Sequence, residues 1–106
     1  MKDMTEFLSQ SVSVPDTVLM RELDGESVIL DLDSENYYGL DDVGTRIWQV
    51  LSSSATIGEA YETLLREYDV EPERLQLDIQ DLLNQLVGNG LLLLEPNLLQ
   101  KPHLTD

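Results

Sequence analysis

The sequence predicts an α+β fold of the winged helix-turn-helix type, in which a three-stranded antiparallel sheet precedes three α-helices and a short C-terminal strand or wing. Three observations carry this. Strand-like segments meet at Asp24-Gly25 and at Ser34-Glu35-Asn36. After Leu40 the apolar period lengthens from two to between three and four. A final apolar run, Leu91 to Leu94, follows an Asn89-Gly90 stop signal.

Each element has a local reason. Residues 1–16 lack clear periodicity and end in Val14-Pro15-Asp16, so they read as a flexible lead-in. Thr17 to Leu23 has strand character, and Asp24-Gly25 suits a type I′ hairpin, whose two central positions need positive φ. In Ser27 to Asp33, Val28, Leu30 and Leu32 share one face while Asp31 and Asp33 take the other, the period-2 pattern of a half-buried strand. Ser34-Glu35-Asn36 turns the chain into a short third strand, Tyr37 to Leu40. Asp41 or Asp42 caps a first helix with Val43, Ile47, Trp48, Val50 and Leu51 roughly on one side. Thr56-Ile57-Gly58-Glu59 fits a capping box that opens a second helix carrying Ala60, Tyr61, Leu64, Leu65 and Tyr68. Pro72 suits a first helical turn, and the third helix presents Leu75, Ile79, Leu82, Leu83, Leu86 and Val87 at spacings of three and four. Leu91 to Leu94 is expected to pack on the core as the wing, and residues 95–106 to form a mobile tail. The domain proper is placed at residues 17–94.

Composition narrows the function. With 106 residues and 42% apolar content the chain has room for one core. The lack of cysteine excludes disulfides, thiolate metal sites and cysteine catalysis. No run approaches the roughly 18 apolar residues of a membrane span, and no apolar segment follows Met1 to Glu6, so a cytoplasmic protein without a membrane partner is expected. The formal net charge of -15, from 21 acidic and 6 basic residues, repels phosphates and favours basic or neutral partners. A winged-helix transcription regulator is the alternative that the fold class offers. The third helix opposes it, with Glu71, Glu73, Asp78 and Asp81 against Arg74 alone.

Catalytic residues are not expected. The one histidine, His103, lies in the tail, and no pair of carboxylates is singled out by spacing or by an apolar setting. Asp31 to Asn36 with Asp42 imitates a calcium loop. However, Asn36 stands where the sharp turn needs glycine, Asp42 replaces the bidentate glutamate, and no helix precedes Asp31, so a polar hairpin turn is expected and no metal. Trp48 beside Ile47 reads as a core anchor. Tyr37 and Tyr38 alternate across their strand, one ring inward and one exposed. Gly39, without a side chain, is read either as an ordinary strand end or as a place where another backbone approaches an edge strand.

The segment Leu30 to Trp48, containing Tyr37-Tyr38-Gly39-Leu40 and Val43-Gly44 before Ile47-Trp48, resembles the PqqD family. Glu67 to Glu73 resembles that family's link between second and third helices, and Leu83 to Leu92 its closing step. The resemblance covers about residues 17–94; Ser34-Glu35 replaces a more usual Thr-Gly turn, and Asp41-Asp42 a commoner Asn-Glu. It implies a RiPP recognition element: a non-catalytic peptide chaperone, without a cofactor, that binds the leader of a ribosomally made precursor peptide as an added strand. The leader is then delivered to a modifying or processing enzyme, a radical-SAM enzyme or a leader peptidase and cyclase. Carried onto this chain, the peptide-binding residues are Tyr37, Tyr38, Gly39 and Leu40 on the strand edge. From the third helix come Leu75, Ile79 and Leu82 as apolar pockets, with Asp78 and Asp81 to meet basic leader residues. A monomer or weak dimer is expected.

Overall fold

The computed structural model describes residues 4–95. Its elements run α1 (Met4–Ser9), β1 (Ser11–Ser13), β2 (Val18–Leu23), β3 (Glu26–Asp31), β4 (Tyr37–Leu40), α2 (Asp42–Ser53), α3 (Ile57–Glu67), α4 (Pro72–Gly88) and β5 (Leu93–Glu95). The architecture is the expected α+β one: β2, β3 and β4 form an antiparallel meander in that order, and α2, α3 and α4 are the three main helices. Asp24 and Gly25 have φ values of 56° and 85°, the type I′ signature of the β2–β3 hairpin.

The alternation in β3 is present but its sense is the reverse of the sequence reading. Ser27, Ile29 and Asp31 face inward and are buried, whereas Val28 and Leu32 are 44% and 58% exposed. Two polar residues tolerate burial because their groups are paired. Ser27 and Thr45 share a hydroxyl–hydroxyl bond of 2.7 Å, and the Asp31 carboxylate accepts from Thr17 Oγ1 at 2.7 Å, the Asp33 N–H at 3.0 Å and Ser34 Oγ at 2.9 Å. Ile29, with no exposure, is the apolar residue that β3 gives to the core. Because a strand has period two, choosing the wrong parity inverts every side chain at once. The strand also ends at Asp31 rather than Asp33, where the turn held by the Asp31 carboxylate begins.

The helices follow their caps. Asp41 Oδ1 accepts from the Gly44 N–H at 2.8 Å and opens α2; Thr56 Oγ1 accepts from the Glu59 N–H at 3.1 Å and opens α3. Glu59 reaches back to the Ala55 N–H at 3.3 Å, one residue before the position a capping box would use. α4 closes with Gly90 at φ 75°, its N–H on the Val87 carbonyl at 3.0 Å and the Leu91 N–H on the Leu86 carbonyl at 2.8 Å. This paired pattern is a Schellman motif, and the accompanying apolar contact falls on Leu86 and Leu91, both fully buried. The core joins Val18, Ile29 and Leu40 of the sheet to Ile47, Trp48, Val50 and Leu51 of α2, Ile57, Ala60 and Leu64 of α3, and Leu75, Ile79, Leu83 and Leu86 of α4.

Two boundaries differ from expectation. Part of the lead-in is ordered. Phe7, Leu8 and Val12 pack on the core, the Gln10 carbonyl accepts the Ile57 N–H at 2.8 Å, and β1 pairs with β5 in the register Ser11 to Glu95. The wing is also displaced by two residues: Leu91 and Leu92 are core, and the strand is Leu93–Glu95, paired with β1 rather than with the meander. Of the expected tail, Glu95 lies in β5 and residues 96–106 lie outside the described residues.

Candidate functional site: a free strand edge beside a helix

β4 is an edge strand, hydrogen-bonded to β3 on one side and to no described strand on the other. Its register with β3 pairs Leu30 with Tyr37, Ile29 with Tyr38, Val28 with Gly39 and Ser27 with Leu40. The Asp31 N–H donates to the Asn36 carbonyl at 2.9 Å, which makes that pair a hydrogen-bonded one. In an antiparallel ladder such pairs alternate, so Tyr38 and Leu40 direct their backbone groups to β3, while Tyr37 and Gly39 direct theirs to the free edge. The donors and acceptors open to an incoming strand are therefore those of Tyr37 and Gly39.

Side chains divide the two faces as the alternation requires. Tyr37 stands outward and is 72% exposed; Tyr38 packs against the core, with its hydroxyl donating to Gln85 Oε1 of α4 at 2.9 Å. Asn36 Nδ2 donates to the Asn89 carbonyl at the end of α4 at 3.1 Å. These two bonds tie the meander to the C-terminal half of α4. At helical spacing Asp78, Asp81, Leu82, Gln85 and Asn89 form one stripe, which places the first three on the same side of α4 as the groups bonded to β4.

The residues proposed from the sequence do not all lie on the open surface beside β4. Leu75 and Ile79 are 4% and 1% exposed and belong to the core. Leu82 is half-buried at the core's margin, and Asp78 and Asp81 are exposed. Asp78 accepts from Arg74 Nε at 3.2 Å, one turn earlier, whereas Asp81 has no ion pair among the described residues. Sequence reasoning missed Gln85, Asn36 and Asn89. Gln85 was within reach, since it falls one turn after Asp81 and Leu82 on the same stripe.

The acidic pseudo-calcium segment has a structural occupation. The Asp31 carboxyl is held below the usual carboxylate value, first by the Thr17 hydroxyl, then by the Asp33 N–H and the Ser34 hydroxyl. Its partners are donors of the chain itself, and they fix the turn that leads into β4.

Residues 26–92 match the family model described as coenzyme PQQ synthesis protein D (PqqD). The chain belongs to the PqqD family. Two solved structures are similar to this PqqD-family chain. TbiB1 in complex with the TbiA(beta) leader peptide is 33% identical, with a TM-score of 0.67 over 76% of this chain and 93% of that one. A lasso peptide synthetase B1 complexed with the leader peptide is 28% identical, with a TM-score of 0.67 over 78% and 98%. No curated protein sequence matches the chain. The DNA-regulator alternative fails on α4: Glu71, Glu73, Asp78 and Asp81 are all exposed, and the cation among them, Arg74, is bonded to Asp78. Among the described residues no helix is long and apolar enough to cross a membrane.

Proposed function

We propose that this PqqD-family protein captures the leader of a ribosomally synthesised precursor peptide by strand addition to β4 and delivers it to a separate processing enzyme. The observation that carries the reading is the phase of the β3–β4 ladder, which leaves the backbone groups of Tyr37 and Gly39 facing the open edge beside α4. Strand addition takes its affinity from such main-chain bonds and its specificity from alternate side chains. The similarity to two proteins solved with leader peptides supports a peptide as the occupant. Within this reading Tyr37, Tyr38, Gly39 and Leu40 form the edge, Leu82, Asp78 and Asp81 the flanking helix surface, and Gln85 joins them. The role is binding rather than catalysis, carried out in the cytoplasm by a monomer or weak dimer. The enzyme it serves is a radical-SAM enzyme or a leader peptidase and cyclase.

Gly39→Pro is the direct test. It removes an N–H at the free edge without breaking a bond to β3, and proline is tolerated on strand edges, so the domain folds. The leader segment of its precursor peptide is titrated against both proteins by calorimetry. The variant is expected to lose at least tenfold in affinity while its circular dichroism is unchanged. Undiminished binding to a folded variant excludes addition at β4.

A further inference from the structure

The β2–β3 hairpin has an outer face that the helices do not cover. In-register residues on neighbouring strands share a face, so Leu19 stands beside Leu30, Arg21 beside Val28 and Leu23 beside Glu26 on it. Leu19 and Val28 are exposed, and Leu23, at 77%, is more exposed than either. Apolar side chains gathered on one face, rather than scattered singly, mark an interaction surface.

The charge of the chain cancels on this face. The protein carries a formal net charge of -15, yet these three rows hold one cation and one anion, Arg21 and Glu26. Both are exposed, and neither has an ion pair among the described residues. Their placement is informative. Arg21, Val28, Glu26 and Leu23 stand at the corners of one cross-strand quadrilateral, with the two charges on one diagonal and the two apolar residues on the other. A two-fold axis laid along the apolar diagonal, between two such faces, sets Leu23 and Val28 against their own copies. The same axis exchanges the ends of the charged diagonal, which brings Arg21 within reach of Glu26 of the second copy, and Glu26 within reach of its Arg21. A surface that answers its own charges in this way fits an isologous contact.

We infer that the outer face of the β2–β3 hairpin is a self-association surface, and that its occupant is a second copy of this chain. The contact is small. Three strands about 4.8 Å apart and six residues at about 3.3 Å each give the whole meander a face of roughly 14 by 20 Å. That is well short of the about 800 Å² per partner buried in a standard interface, so the dimer is weak and exchanges with monomer. At physiological ionic strength, repulsion between carboxylates further apart than about 8 Å is largely screened, and the neutral face is where two acidic copies repel each other least.

The test is sedimentation equilibrium of the full chain at physiological ionic strength, with no peptide present. The wild-type protein is expected to form a reversible dimer between about 10 µM and 1 mM. Arg21→Glu and Glu26→Arg each disrupt two ion pairs, because the contact is two-fold, and each should weaken the dimer about tenfold. Arg21→Glu/Glu26→Arg rebuilds both pairs with the signs reversed and should return the affinity to within about threefold of wild type. Glu26→Arg is the decisive variant: it lowers the net negative charge, so if general repulsion alone governed association it would tighten the dimer. Leu23→Ser should weaken it about tenfold by removing apolar area at the axis. All of these positions are exposed, so the variants keep the fold, which circular dichroism checks.

A protein that stays monomeric across the range leaves the face to some other partner and overturns the inference. So does a dimer that Glu26→Arg leaves unchanged or tightens, or one that the double exchange fails to restore. None of these outcomes bears on strand addition at β4, which Gly39→Pro tests.

Discussion

At the scale of single residues, Asp31 shows how a group that looks functional is used for shape. Its spacing to Asp33 and Asp42 imitates ligation, but its two carboxylate oxygens accept from Thr17, Asp33 and Ser34 and hold the turn that sets β4. These bonds favour the charged form, so the folded-state pKa lies below the value of about 3.9 in an unfolded chain. The sign of the pH effect follows. The stabilisation is fully present above about pH 4 and is lost as pH falls through the lower, folded-state value. Asp31→Asn keeps the shape without the charge. Its urea midpoint is expected to lie below that of the wild type at pH 7, and the gap to narrow below about pH 4. A gap that persists unchanged to pH 3 shows that the charge on Asp31 contributes nothing. Comparing two proteins at each pH cancels the relief of repulsion that acid brings to the other carboxylates.

At the scale of elements, the signals that were legible are local ones. Gly90 is an example: Asn89-Gly90 reads as a helix stop, and the structure adds the two bonds that close α4. Gly90→Ala meets no neighbour, since nothing lies within 4 Å of the added Cβ, but it forces a side chain into a left-handed conformation at φ 75°. The cost is about 1 kcal/mol, and thermal unfolding of the two proteins measures it; an unchanged midpoint would show that α4 does not depend on this cap. Turns, the Asp41 and Thr56 caps and most of the 3.6-residue period were readable in the same way, because each is decided within four or five residues; Val43, expected on the apolar side of its helix, is instead 44% exposed. Parity in β3 was not. Whether Val28 or Ile29 faces the core depends on Thr45, which pairs with Ser27 from another element, and on Thr17, which pairs with Asp31. β1 was equally hidden, because its partner β5 lies some eighty residues further on. The same limit governed the site. The Tyr37 to Leu40 edge was named correctly as a strand, but the position of Gln85 and the burial of Leu75 and Ile79 depend on how α4 is rotated against the sheet. Helical spacing fixes the stripe and leaves that rotation open.

At the scale of the whole molecule the dominant quantity is charge. A formal net charge of -15 on 106 residues produces a field that acts before any contact is made. Near the proposed groove it is reinforced by exposed Asp81, and tempered at Asp78 by Arg74. For a basic peptide such a field raises the rate of encounter more than it strengthens the final complex, and salt screens it over a Debye length of about 10 Å at 0.1 M. The backbone bonds at Tyr37 and Gly39, by contrast, act at contact and are little screened. The two contributions therefore separate kinetically. With a basic leader, the association rate measured by stopped-flow fluorescence is expected to fall about tenfold between 20 and 300 mM salt, while the dissociation rate changes less than twofold. Asp81→Asn should lower the association rate at low salt more than Asp78→Asn, whose charge Arg74 already offsets. A rate of association indifferent to salt would mean that the carboxylates maintain solubility alone and that the edge selects its partner without electrostatic help.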